Sequence, residues 1–147
     1  MQNRWLRLLI AMSVGMVVLA ACGGGNDESD QGGGGTLACD GSALASEDLK
    51  LPSDFPIPDE AVLTDSSATG PSQSVEGYYE ADLESAYNEW KDALDGANYS
   101  ILFDEIEDKD AEISYKTADE KSTGQIAFRA ECEESGRTFV HITNRPA

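Results

Sequence analysis

One histidine, three cysteines and one dense run of carboxylates are the side chains of this 147-residue chain with the clearest capacity for chemistry. His141 could act as a general base, because an imidazole titrates near neutral pH. A catalytic triad would also need a placed nucleophile and an orienting acid, and neither G-x-S-x-G nor H-E-x-x-H occurs in the chain. Val140 and Ile142 flank His141 in a strand pattern, so its ring belongs to the face opposite theirs. That position fits an exposed or rim histidine better than a catalytic one. The run DEIEDKDAE, residues 104–112, holds six carboxylates in nine residues. Calcium takes several oxygen ligands at close range, but the run lacks the glycine of an EF-hand loop and Ile106 breaks its frame. A solvated strand turn is the favoured reading, with Asp104, Glu105, Glu107, Asp108 and Asp110 the candidate cation face. No metal site is expected of the cysteines, since no CxxC is present and His141 is the sole histidine. No cofactor is expected either: the glycine clusters precede no lysine-bearing phosphate loop.

The cysteines are placed by what surrounds them. Arg4 and Arg7 precede an apolar run, residues 8–21. A helix of that length rises only ~21 Å, short of a ~30 Å hydrocarbon core, so the layout is that of a secretory signal peptide. The run closes on Leu19-Ala20-Ala21-Cys22, which resembles the lipobox of bacterial membrane lipoprotein precursors. The resemblance implies that Cys22 carries diacylglycerol, with acyl chains of the palmitate class, and that residues 1–21 are removed. Two or more chains anchor stably, at ~0.8 kcal/mol per buried methylene. It also implies a bacterial envelope location, on the outer face of the cytoplasmic membrane or in an outer membrane if one is present. With Cys22 committed to lipid, Cys39 and Cys132 remain in an oxidising compartment, and a disulfide between them is expected.

Composition narrows the partners. Ten basic against 28 acidic side chains give a net charge of −18. Nothing basic is clustered, so nucleic acid is excluded as a partner by the summed field. The partners left are the membrane, through the N-terminal lipid, and an envelope protein, a wall polymer or a small ligand.

The elements follow from patterning. Residues 22–36 form a tether, half of it glycine after Cys22, which cannot bury enough to order itself. Residues 37–60 read as an extended arm, with Pro52, Pro56 and Pro58 breaking regular structure and Leu51, Phe55 and Ile57 available for packing. One or two helical turns are possible over residues 42–49. Strands are expected over 61–67 and 73–79, joined by a Gly-Pro turn. Asp82 caps a helix whose apolar stripe is Leu83, Ala86, Tyr87, Trp90 and Leu94, with Gly96 as its left-handed cap. Residues 82–101, a helix running into a strand, are similar to the start of PASTA-type peptidoglycan-associated modules, without their Gly-Pro-Gly turn. Alternating strands are expected over 99–106, 111–117, 125–132 and 137–143.

The fold expected for residues 61–147 is therefore α+β, a two-layer domain with an antiparallel sheet of four to six strands under one helix. The function expected is that of a lipid-anchored, non-catalytic binding or interaction module. The rivals are a small envelope enzyme using His141 and a cation-responsive envelope sensor using the acidic run.

Overall fold

The structure, a computed structural model, describes residues 39–147. The signal peptide, the lipobox with Cys22, the tether and the first two residues of the arm lie outside the described residues. Six strands are present: β1 (Ala61–Thr69), β2 (Ser72–Tyr79), β3 (Ser100–Ile106), β4 (Asp110–Lys116), β5 (Ser122–Arg129) and β6 (Thr138–Pro146). They form one sheet in the order β1-β2-β6-β5-β4-β3, and every neighbouring pair is antiparallel. The helix α1 (Leu83–Gly96) crosses one face of the sheet from β2 to the far edge at β3. The remaining strands return as a meander, and β6 fills the place beside β2. This is the two-layer α+β arrangement expected. No helix among the described residues is long and apolar enough to cross a membrane.

Alternation sorts each strand into a covered and an open side. Val75, Ile113, Tyr115, Ile126, Phe128, Val140 and Ile142 face the helix and are buried, as are Ala86, Tyr87, Trp90 and Leu94 on the helix itself. The Asp82 carboxylate accepts a 2.8 Å bond from the Ser85 amide and so caps α1. At the other end Gly96 is still helical, and the left-handed residue is Asn98, at φ 62°. The Asn98 amide bonds Asp95 O and the Tyr99 amide bonds Leu94 O. That pair of bonds is a Schellman motif, with Leu94 and Tyr99 both buried in the core, and it displaces the expected cap by two residues.

Three further expectations are corrected. The fifth strand ends at Arg129 rather than Cys132, and Ala130–Ser135 is a 3-10 helix. Glu131, Glu133, Glu134 and Ser135 offer no β-branched side chain to extend the strand, and Gly136, at φ 72°, ends the turn. Residues 42–49 form no helix, only a turn in which the Asp48 amide bonds Ala45 O. Ile57 is 37 % exposed, whereas Phe55 is buried in the core beside Leu49 and Leu51.

The arm wraps the β1 edge. On the open side Gly41 O accepts from the Tyr78 hydroxyl, and the Leu44 amide bonds Leu63 O. Farther along, the Lys50 amide bonds Ser66 Oγ, and Phe55 reaches the helix side. Its ring centroid there lies 6.1 Å from Trp90, 5.9 Å from Tyr99 and 5.5 Å from Tyr115. The sulfurs of Cys39 and Cys132 are 2.04 Å apart, with their Cα atoms at 5.4 Å, which is disulfide geometry. The pair joins the start of the arm to the 3-10 helix rather than to a strand.

Candidate functional site

The side of the sheet away from α1 is laid out in rows, one residue per strand. The central row runs Phe103, Ser114, Gln125, Thr143, Ser74, Ser67, each directly opposite the next. At the usual spacing of neighbouring strands the row spans roughly 24 Å. No member is charged. One adjacent row is Glu105, Glu112, Ala127, His141, Glu76, Asp65 and is acidic. On the other margin Lys116 and Arg145 flank Thr123. A concave trough of about 580 Å³ lies over the central row from Ser114 to Ser67 and over the Thr123–Arg145 margin, with Leu102 at one end, next to Phe103 in the chain. That volume is in the range of ligand pockets.

Bulges on both edge strands aim this face. In β3, Ile101 pairs with Tyr115 and Phe103 with Ser114, so Leu102 is an extra residue. The slip turns Phe103 away from the helix and onto the open side. Phe103 is 50 % exposed and Leu102 58 %. In β1 the register shifts between Leu63 and Asp65, which keeps Leu63 in the core and puts Ser67 in the row.

Polar groups in the trough divide into held and free. Gln125 Nε2 donates 2.8 Å to Glu112 Oε2, and Thr123 Oγ1 donates 2.8 Å to Tyr115 O. Asn144 Nδ2 donates 2.8 Å to Gln73 Oε1, and Asn144 Oδ1 accepts from the Tyr115 hydroxyl at 3.3 Å. Glycine at position 124 leaves room for that hydroxyl, which a Cβ there would strike. The hydroxyls of Ser67, Thr69, Ser72, Ser114 and Thr143 have no side-chain hydrogen bond among the described residues.

His141 stands on the open face, and Val140 and Ile142 are fully buried on the other. Its Nε2 is 2.8 Å from Ser74 Oγ. The distance is that of a serine–histidine pair in a hydrolase triad, but the described residues supply no carboxylate bonded to the ring.

The acidic run is dispersed by strand pleat. Asp104 faces the helix, bonded to the Tyr87 hydroxyl and to Lys91 Nζ. The Lys91 ammonium, then the Tyr87 hydroxyl, holds its carboxyl below the usual carboxylate range. Glu105 is on the open side opposite Glu112, and Asp110 lies 3.8 Å from Arg129. Glu107 and Asp108 stand together at a second cavity of about 400 Å³, between the start of α1 and the 3-10 helix. Among the described residues no group of three or more His, Cys, Asp or Glu is arranged to hold a metal ion.

The row residues escape motif searches because each is an ordinary polar position of an alternating strand. The signal available is composition by position. In a chain with 26 % charged residues, five strands carry serine, threonine or glutamine at the wet position of one register. No family model, no curated protein and no solved structure matches this chain.

Proposed function

We propose that the chain is a lipid-anchored extracytoplasmic lipoprotein whose domain is a non-catalytic binding module, working through the open side of its sheet. The observation that carries the binding reading is the uncharged central row beneath the trough, whose lining holds one charged side chain, Arg145 at its margin, in a chain of net charge −18. A solvated row in so acidic a chain has no folding reason to stay uncharged on all six strands. The anchor rests on Leu19-Ala20-Ala21-Cys22 behind a signal-like segment. Export also favours formation of the Cys39–Cys132 bridge.

Two experiments address the two halves. Cys22→Ser should move the protein from membrane to soluble fractions and abolish its acyl mass; retention in membranes sinks the anchor. A photocrosslinking residue at Thr143, in the trough, should give adducts in cells, and one at Asp92, on the exposed side of α1, should not. Equal labelling from both, or none from Thr143, sinks the binding face.

The Ser74–His141 contact favours a second reading, a small envelope hydrolase or transferase. Under it His141→Ala abolishes turnover of an activated acyl ester, and Ser74 becomes covalently modified. Unchanged ester turnover in His141→Ala removes this reading.

A further inference from the structure

We infer that the trough binds a neutral glycan strand, a class of ligand more specific than the binding-module reading on which this rests. A sugar ring carries hydroxyls around its rim and C–H groups on its faces. The rim needs partners that both donate and accept, which hydroxyls and amides do and charged groups do not. The central row supplies them: Ser114, Thr143 and Ser67 with unengaged hydroxyls, and Gln125 fixed through Glu112 so that its Oε1 has no protein partner among the described residues. The C–H faces need an apolar surface, and an aromatic ring face carries the negative potential that suits them. Phe103 begins the row and Leu102 lines the trough, and these are the two most exposed large apolar side chains of the described residues. Their exposure, brought about by the β3 bulge, is otherwise a liability on a sheet edge.

Charge selects against the rivals. A polyanion meets the −18 field and the Glu105, Glu112, Glu76 and Asp65 row along one margin. A polycation would find carboxylates on that margin only, with Lys116 and Arg145 on the other. An uncharged, extended, polyhydroxylated chain is disfavoured by neither. The row runs the width of the sheet from β1 to β3, so a linear oligosaccharide of several rings fits it better than a monosaccharide.

The test is a titration of the full mature chain, held in a sugar-free detergent and followed by amide NMR. The probes are chitotetraose, cellotetraose and maltotetraose, with a hyaluronan tetrasaccharide as the anionic arm. At least one neutral probe should shift the amides of Ser114, Gln125, Thr143 and Ser74, and the anionic one should not. Phe103→Ala and Ser114→Ala should each weaken that binding, by about tenfold and about threefold. Glu84→Gln, on the exposed start of α1, should leave it unchanged. Phe103 is half exposed on an edge strand, so an unchanged melting curve separates lost binding from lost fold. The proposal is overturned if no neutral probe moves the row, or if the hyaluronan fragment binds more tightly. Trough-specific adducts from the Thr143 crosslinker, together with a silent glycan titration, would discard the glycan and keep the binding module. Failure of both would discard both.

Discussion

Two tyrosines on the helix side of the sheet show how little separates a useful hydroxyl from a costly one. The Tyr115 hydroxyl donates to Thr143 O at 3.0 Å and lies 3.3 Å from Asn144 Oδ1. The Tyr99 hydroxyl is buried and has no partner among the described residues. Burial, then the fields of Asp54 and Asp119, pushes its pKa up to about 12, so it stays a neutral, unsatisfied donor. An unmet buried polar group costs about 1–3 kcal/mol, and a met one contributes about 1 kcal/mol. Tyr99→Phe should therefore raise stability by about 1 kcal/mol and Tyr115→Phe lower it by a similar amount, read from urea midpoints. A loss in both variants would mean that the Tyr99 hydroxyl is engaged. Asp119 gives a pH-dependent counterpart. It accepts from the Lys121 ammonium, the Lys121 amide and the Thr117 hydroxyl, which lower its carboxyl from 3.8 to about 2. A depressed carboxylate contributes stability that is complete above its unfolded pKa and lost as pH falls through the folded one. The midpoint gap between the parent and Asp119→Asn should be constant from neutral pH down to 3.8 and close on approach to about 2. A gap that persists below that range would contradict the assignment. The side chain is exposed, so the gap itself is small.

The arm is the element whose importance exceeds its regularity. Its described residues form no helix or strand, yet Phe55 packs against Trp90, Tyr99 and Tyr115 at the centre of the core. Truncating a buried phenylalanine typically costs about 3–5 kcal/mol. Phe55→Ala should lower stability by that amount, and Ile57→Ala, partly exposed two residues on, by less than about 1 kcal/mol. Equal losses from the two would mean that the arm packs as a whole rather than through one ring. Much of this architecture was legible in the chain. Strict alternation around Ile113, Ile126 and Val140 revealed the strands, and the Leu83–Leu94 stripe revealed the helix, because burial on one side imposes those periods. What escaped was finer than the alternation. Cys132 sits where alternation would continue β5, but the residues around it form a 3-10 helix ended by Gly136. The bulges at Leu102 and Thr64 are one-residue slips with no composition of their own, and they decide which side chains reach the trough. The central row is visible only after register is known, since its six members come from six separate strands.

At the scale of the whole molecule, the two ends of the open face are treated differently. At one end Gly41 takes the Tyr78 hydroxyl, and Arg137 stacks 4.3 Å over the Tyr78 ring and bonds Cys39 O at 2.9 Å. The Cys39–Cys132 pair fastens this cover down. The other end holds the trough, with five hydroxyls unengaged among the described residues. The arm thus shields β1 and its neighbours while β3 keeps a bare, apolar edge. Because the pair closes a 93-residue loop, the bridge should stabilise by ~4–5 kcal/mol in the chain-entropy model, against a total of about 5–15 kcal/mol for a domain. Carboxylates crowded into so acidic a chain repel one another, so the same loss matters more at low salt. Cys39→Ser with Cys132→Ser should lower the urea midpoint and raise the slope of the transition, because the unfolded chain becomes less compact. The drop should be larger in dilute buffer than in molar salt. Hydrogen exchange should quicken first at the Leu44 amide, which bonds Leu63 O, and last at Ile126 and Ile142 in the middle of the sheet. An unchanged midpoint in the double variant would show that the arm is held by Phe55 alone. The open-face cover would then add nothing to the stability of the fold.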